Sequence, residues 1–362
     1  MSGRAVFLFL AVAAFAQAPP SDRLYRDAVT LGLQGNTQAA ISKYEQFLKL
    51  HPESVGARTN LGVELAKLGK YDEAIENYKI ALSHDSLNAT VRLNLALAWY
   101  KQSAFDKAAG ELTGVRRVQP QNKQALYLLA DCDLRLGRYK DAIALVDPAY
   151  QATPDDRALA YVLGVALIKD GQIEKGKPVI DRILAQGETA EANLLLGASA
   201  LAAGDDEKAL KTLRRAVDLD ARLPGIWSLY GRAQMEINDN PGAEASFRKA
   251  LQADANDFDA NLDLGALLRH DGDFQNAATF LAQALRLRPS SLTARFQMGA
   301  LDLSLGRFDE ARAYLEGVAR ESPDFQPVHV QLASLYFKMN RKVDSERERQ
   351  LVLKLNGQQP RP

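Results

Sequence analysis

A spacing of about 34 residues recurs along this chain and restricts its fold more than any other feature. The prolines show it most directly. Pro120 and Pro154 lie one such period apart, as do Pro289 and Pro323. Pro52 lies two periods before Pro120, and Pro154 lies one residue short of four periods before Pro289. Because self-similarity at a fixed period of about 20–50 residues is typical of repeat arrays, the sequence predicts one structural unit repeated many times.

Ten units follow from this period, and two of their positions are restricted to small residues. The units begin at Ser21, Val55, Ala89, Lys123, Arg157, Ala190, Pro224, Phe258, Leu292 and Gln326. The eighth position is always glycine or alanine: Ala28, Gly62, Ala96, Ala130, Gly164, Gly197, Gly231, Gly265, Gly299 and Ala333. The twentieth position is alanine except at Gly176 and Ser345. Small residues at both positions predict that two helices approach each other closely.

Each unit is predicted to contain two antiparallel helices. Apolar residues at positions 4, 7, 8 and 11 follow the spacing of one helix face, and positions 20, 24 and 27 mark a second. Position 15 holds residues that tolerate a left-handed backbone at the end of a helix: Gly35, Gly69, Ser103, Gly137, Gly171, Gly204, Asn238, Gly272, Gly306 and Asn340. Prolines at position 32 then end the second helix, because proline cannot continue one.

This pattern resembles the tetratricopeptide repeat. The matching residues of two units are Trp227, Tyr230, Gly231, Ala243, Phe247 and Ala250, and Leu61, Gly62, Tyr71, Ala74, Tyr78 and Ala81. The resemblance covers Ser21 to Leu355 and implies an all-α fold, a right-handed α-solenoid superhelix of antiparallel helix pairs. In the last unit, Ser345 and Arg349 stand at core positions of the second helix. We expect this unit to be a polar capping repeat, which keeps the end of a solenoid soluble.

The N-terminus has the pattern of a secretory signal peptide. Arg4 precedes a short apolar run, Ala5–Ala16, that ends in an Ala-x-Ala site. We expect a signal peptide over residues 1–16, a Pro-rich linker over 17–20, the array over 21–355 and a polar tail over 356–362. An uncleaved hydrophobic tail is the alternative. The protein would be exported, to the bacterial periplasm or outside the cell, and would not be an integral membrane protein after cleavage.

Charge and cysteine content narrow the function further. The chain has 45 Lys plus Arg and 45 Asp plus Glu, so its formal net charge is zero. A neutral chain lacks the basic footprint of a dedicated nucleic-acid binder, and we expect no nucleic-acid partner. Cys132 is the only cysteine, so no intramolecular disulfide can form.

The motifs that suggest chemistry are better explained by structure. Residues 171–177 read G-x-x-x-x-G-K, but Pro178 stands where a phosphate-binding loop needs serine or threonine. The four histidines lack the spacing of a metal-binding pair. The aspartates at 254, 257, 259 and 263 fit helix capping better than calcium binding. We therefore expect no catalytic residue, no metal, no cofactor and no enzymatic activity.

The family resemblance implies that the first helices line a concave groove that binds peptides. Its inward-facing positions are 2, 5, 9, 12 and 13, and the groove candidates are Tyr25, Tyr100, Tyr127, Tyr161, Arg232, Leu262, Arg269, Phe296 and Phe337. These side chains equally fit packing against the neighbouring first helix. The function predicted is an exported scaffold or adaptor that binds a protein or peptide segment in this groove. The alternative is a structural component of a cell-envelope complex that uses its convex face or ends, and self-association stays open.

Overall fold

The computed structural model describes residues 23–185 and 187–358, and these form twenty α-helices without a strand. Two compact units divide the chain, the first ending at Asp170 and the second beginning at Gly171. The predicted signal peptide and linker lie outside the described residues, as does the end of the polar tail. The all-α fold built from repeated helix pairs is confirmed.

Unit 1 contains nine helices, in which a first and a second helix alternate. Their bounds are α1 Arg23–Leu33, α2 Thr37–Leu50, α3 Val55–Lys67, α4 Tyr71–His84, α5 Ala89–Lys101, α6 Phe105–Val118, α7 Lys123–Arg135, α8 Tyr139–Ala152 and α9 Arg157–Lys169. Each second helix packs on the first helices before and after it. The buried side chains between them form the core of this unit.

Unit 2 contains eleven helices with the same alternation. Their bounds are α10 Ile173–Ala185, α11 Ala190–Ala202, α12 Asp206–Leu219, α13 Ile226–Glu236, α14 Asn240–Ala253, α15 Phe258–His270, α16 Phe274–Leu287, α17 Leu292–Ser304, α18 Phe308–Glu321, α19 Gln326–Lys338 and α20 Lys342–Gln358. The last helix thus continues past Leu355, where we placed the end of the array.

The turns within the repeats form where the sequence predicts them. All ten residues at position 15 have a positive φ, including the non-glycine residues Ser103, Asn238 and Asn340 at about 60°. Asparagine and glycine adopt this left-handed conformation at low cost, so the first helix ends there. The helices before Pro52, Pro120, Pro154, Pro289 and Pro323 end two residues upstream of each proline.

The glycines at position 8 allow the two helices of a repeat to touch. A β-carbon on Gly231 would lie 2.7 Å from the Phe247 ring, and one on Gly62 would lie 2.5 Å from the Tyr78 ring. Real β-carbons do not approach other atoms so closely, because the overlap would force the helices apart. The close packing predicted from the small-residue column is confirmed.

Seven of the first helices begin at capping side chains that accept a backbone N–H bond. The capping residues are Ser54, Asn88, Asn122, Asp156, Thr189, Asp257 and Ser291. Each satisfies a donor that the first turn of the helix leaves unpaired. The prediction that Asp257 caps a helix is confirmed, since it accepts a bond of 2.9 Å from the Ala260 N–H.

The last repeat replaces apolar packing with polar contacts. The Ser345 hydroxyl donates to the Ala333 carbonyl at 2.8 Å, deep between α19 and α20. His329 lies 2.7 Å from the buried Glu348 carboxylate. Our assignment of Arg349 to the core is wrong, because α20 turns Glu348 inward and leaves Arg349 exposed. Polar side chains thus fill part of the interface between α19 and α20.

Candidate protein-binding surface

We call one side of the first helices the first-helix face, and most of its position-5 side chains are buried. It carries positions 5, 9 and 12 of each repeat and comprises α1, α3, α5, α7 and α9 in unit 1. In unit 2 it comprises α11, α13, α15, α17 and α19. The nine predicted groove residues all stand on these helices, so their burial and partners decide what each can do.

Three tyrosines remain half-buried on the first-helix face of unit 1: Tyr100, Tyr127 and Tyr161. The Tyr127 hydroxyl donates to the Asp156 carboxylate at 2.7 Å, and the Tyr100 hydroxyl donates to Asp131. Each bond joins one first helix to the next repeat. The hydroxyl groups are thereby anchored while part of each ring stays open to solvent.

The charges around these tyrosines change their acidity. Burial raises the pKa of Tyr127 to about 12, and the hydrogen bond to Asp156 adds to the rise. Burial also raises the pKa of Tyr100, and the Asp131 carboxylate adds to it. Both phenols are therefore protonated at neutral pH and act as hydrogen-bond donors.

Tyr25, at the start of unit 1, belongs to the core. Its ring lies 5.3 Å from the Phe47 ring and 6.0 Å from the Tyr44 ring. The Asn60 amide donates to its hydroxyl at 3.2 Å, and the side chain is almost fully buried. For Tyr25 the burial favours the alternative of packing within the array, because α2 and α3 cover the ring.

Arg232 links two first helices of unit 2 by an ion pair. Its guanidinium lies 2.7 Å from the buried Asp263 carboxylate and 3.9 Å from Asp259. The Asp263 charge is the main cause that raises the pKa of Arg232 above its usual value. In the same helix, the Ser228 hydroxyl donates to Asp257 at 2.5 Å, and it stands at position 5 as Tyr127 does.

The other predicted residues of unit 2 divide into covered and open side chains. Leu262 and Phe296 are buried, which favours the alternative of packing, because each belongs to a core cluster with neighbouring helices. Arg269 is half-buried, and its Nε donates to Gln297 at 3.3 Å. Phe337 is 60% exposed. The predicted groove residues thus include repeat-to-repeat links as well as open surface.

The acidic partners on this face were not predicted. Asp131 stands at position 9, Asp156 before position 1 and Asp263 at position 6 of their repeats. Each receives a hydrogen bond from the preceding first helix. Polar residues in these columns are the signal in the sequence, but the stacking distance between first helices is needed to pair them.

The other residues considered for chemistry have structural positions. Gly171 is a left-handed turn residue followed by α10, so the G-x-x-x-x-G-K segment lacks the strand of a phosphate-binding loop. Cys132 is fully buried, and burial raises the pKa of its thiol to about 12. Within residues 23–185 and 187–358, His, Cys, Asp and Glu form no cluster suited to a metal. In the same part of the chain, every helix is too short or too polar to cross a membrane.

Known families and proteins share this repeat. Profiles described as tetratricopeptide repeat match residues 28–76, 59–113, 100–157, 133–199, 191–220, 230–291, 268–324 and 303–361. The chain is 23% identical to the BBSome complex member BBS4 of Bos taurus over 209 residues, 58% of this chain and 40% of that protein. It is 24% identical to tetratricopeptide repeat protein 8 of Caenorhabditis elegans over 214 residues, with shares of 58% and 42%. The chain spans about two fifths of these relatives' length.

Two solved structures have a similar fold. The APC/C hetero-tetramer Cut9–Hcn1 gives a TM-score of 0.61 at 14% identity, covering 93% of this chain and 81% of that chain. The human IFIT1 dimer with PPP-AAAA gives a TM-score of 0.51 at 16% identity, covering 91% and 89%. At these identities the likeness shows the fold alone, which is an α-solenoid.

Proposed function

Because this chain belongs to the tetratricopeptide repeat family, we propose that it is an exported scaffold that binds a protein or peptide segment along its first-helix face. Repeat arrays of this kind serve as interaction surfaces. The relatives named above include members of protein complexes. The partners of those relatives are not assigned to this chain. We infer the chemistry of its partner from the side chains of the first-helix face.

The half-buried tyrosines of unit 1 carry the proposal. Tyr100 and Tyr127 combine a half-buried ring with an anchored hydroxyl, so binding would immobilise them at little cost in entropy. Phe105 and Arg135 also pack against the Tyr100 ring. Tyrosine is enriched among the residues that dominate binding energy at protein interfaces. The Asp156 carboxylate lies beside Tyr127 and favours a segment with basic as well as apolar side chains, whereas Asp131 is already paired with Arg135 at 2.9 Å.

Export and location are proposed from the N-terminal residues. Arg4 and the apolar run to Ala16 match a signal peptide, and the bacterial periplasm or the extracellular space follows as the destination. The test is mass spectrometry of the N-terminus from fractionated cells. A mature chain beginning at Gln17 in the exported fraction supports the proposal, and an intact N-terminus confined to the cytosol contradicts it.

Groove binding is tested by affinity capture from envelope extract. We expect the triple variant Tyr100→Ala, Tyr127→Ala, Tyr161→Ala to lose partners that the wild type retains. The matched control is Ile80→Ala with Val118→Ala, which trims exposed apolar residues of second helices in the same unit. Far-UV circular dichroism checks that both variants stay helical. Equal recovery of every partner by wild type and triple variant contradicts the proposal.

The alternative function is a structural component of an envelope complex that assembles through its convex face or its ends. The exposed Phe337 and Leu353 side chains at the end of unit 2 favour it. Light scattering separates the two functions. A stable assembly of copies that the tyrosine substitutions leave unchanged supports the structural role. Catalysis is not part of either proposal, since the residues of this surface serve packing and capping.

A further inference from the structure

Exposed apolar side chains gather on the last helix pair of unit 2. Val330 and Phe337 on α19 are 46% and 60% exposed, and Leu353 on α20 is 62% exposed. Together with Arg349, which stacks 5.8 Å from the Phe337 ring, they form what we call the end face.

The same positions are covered one repeat earlier. Phe296 and Leu303, which are the equivalents of Val330 and Phe337 in the preceding repeat, are 9% and 4% exposed. Both belong to a core cluster to which the next first helix, α19, contributes Leu332. The end face is therefore the surface that receives a following first helix inside the array.

The second helix of the last pair shows the same correspondence. Leu315 on α18 is fully buried and Ala319 is partly buried, both in the cluster that includes α19. Their equivalents one repeat later, on α20, are Arg349 and Leu353, and both are exposed. One buried leucine of the internal interface is thus replaced by a positive charge.

The positive charge of Arg349 indicates what kind of helix binds the end face. Arg349 lies against Phe337, and Lys338 beside it is also exposed. A helix that covers this face must offer apolar residues together with a carboxylate, since a buried arginine needs an acidic partner. Unit 2 contains such an arrangement internally, where Asp263 of one first helix binds Arg232 of the preceding one at 2.7 Å.

We propose that the end face binds an acidic amphipathic helix of a partner protein, which packs on α19 and α20 as a following first helix would. The proposal rests on the proposed function only in taking the chain to be a protein-binding scaffold. The partner helix presents apolar residues at i, i+3, i+4 and i+7 to Val330, Phe337 and Leu353. Its carboxylates meet Arg349 and Lys338.

The chain's own segments fit this face less well. Residues 1–22 contain one acidic residue, Asp22, and residues 359–362 contain none. The first helix of a second copy carries Arg23 and Arg26 but only one acidic residue, Asp27, which lies 4.0 Å from Arg23, so α1 has an excess of positive charge. Like charges in contact oppose such stacking. A separate acidic helix is therefore the occupant that the charges favour.

The test measures fluorescence anisotropy of a labelled peptide with the full-length protein at low salt. The probe is residues 254–270 of this chain, an acidic first helix whose Asp259 and Asp263 approach Arg232 in the array. A second peptide carries Asp259→Lys and Asp263→Lys. The protein variants are Phe337→Ser, Arg349→Glu and the control Val118→Ser, which changes an exposed valine of unit 1.

We expect the acidic peptide to bind the wild type and the control equally. Phe337→Ser should weaken its binding about tenfold or more, as loss of a central aromatic residue does at interfaces. Arg349→Glu should weaken the acidic peptide and strengthen the lysine peptide. Because Phe337 and Arg349 are exposed, these variants should keep the thermal stability of the wild type.

Three results would overturn the proposal. These are equal binding of the two peptides to the wild type, unchanged binding by Phe337→Ser, or a concentration-dependent dimer that Phe337→Ser dissociates. The last result would assign the face to a second copy. The tyrosine variants of unit 1 should leave peptide binding unchanged, so failure here and failure of first-helix-face binding are distinguishable.

Discussion

Asp156 in unit 1 and Asp257 in unit 2 hold the same place before a first helix, yet the pKa values of their carboxyls shift in opposite directions. Each caps its helix and accepts a hydrogen bond from position 5 of the preceding first helix, which is Tyr127 or Ser228. Burial raises the pKa of Asp257, and the nearby Asp259 adds to the rise. Burial acts on Asp156 in the same direction, but hydrogen bonds from Tyr127 and the backbone outweigh it and lower its pKa.

The difference shows that the position of a residue in the repeat determines its hydrogen-bond geometry, whereas the pKa of its side chain depends on the neighbouring residues. Two buried aspartates at different repeat positions also differ in their neighbours. Asp133 in unit 1 is buried, and burial raises its pKa to about 6. Asp263 in unit 2 is also buried, but it is bound by the Arg232 guanidinium. The two units should therefore respond differently to substitution and to pH.

Removal of the Arg232 guanidinium should have the largest effect. Arg232→Ala leaves the buried Asp263 carboxylate without its cation and should lower the free energy of unfolding by about 3 kcal/mol. Hydrogen exchange of the α13 and α15 amides measures the loss locally. The control Arg248→Ala breaks a more exposed pair with Glu244 and should cost less than about 0.5 kcal/mol. Equal losses would show that the buried pair has no special role in unit 2.

The next effect concerns pH and Asp133. Since its pKa is raised in the folded state, the unfolded chain binds fewer protons, and the free energy of unfolding should rise as pH falls from about 7 towards 4. Asp133→Asn should remove the contribution of Asp133 to this rise, which is on the order of 2 kcal/mol, while Asp257 and Asp302, whose pKa values are also raised, keep theirs. Urea titrations at both pH values measure it. The same pH dependence in wild type and variant would contradict the assignment.

Replacing Asp156 and Asp257 by asparagine tests the effect of the carboxylate charge alone, because asparagine also caps helices. The lowered pKa of Asp156 contributes stability above about pH 4, and this is lost as pH falls through its folded pKa. The raised pKa of Asp257 acts oppositely. At pH 7, Asp156→Asn should therefore lower the free energy of unfolding, whereas Asp257→Asn should not. Thermal unfolding compares them, and effects of the same sign would break the contrast.

Loss of the Tyr127 hydroxyl should have the smallest effect. Tyr127→Phe keeps the ring and removes one neutral donor, while Asp156 retains its backbone partners, so we expect a cost of about 0.5 kcal/mol. The matched change in unit 2 is Ser228→Ala, which removes the donor to the more deeply buried Asp257 and should cost more. Urea unfolding ranks the two, and the reverse order would contradict the burial argument.

The helix boundaries were predictable because they depend on local chemistry. The left-handed residues at position 15 and the prolines at position 32 act within a few residues of themselves. The division after Asp170 was not predicted from the sequence. Separation into compact units depends on the sum of contacts over many residues. It cannot be predicted from the residue at a single turn.

The burial of the groove candidates could be predicted only in part. Tyr25 and Tyr127 both stand at position 5, yet the first is covered and the second half open. Large rings on α2, Tyr44 and Phe47, surround Tyr25, and such neighbours differ from repeat to repeat. The hydroxyl partners likewise depend on how far each first helix is offset from the next.

The single thiol of the chain can report how often part of unit 1 opens. The Cys132 side chain on α7 is fully buried, and its pKa of about 12 leaves almost no thiolate at neutral pH. An alkylating reagent can react only when α7 separates from its neighbours, and the reaction marks one known site. The rate of alkylation would thus measure how often α7 opens. No label is needed, and the other repeats do not contribute because they contain no cysteine.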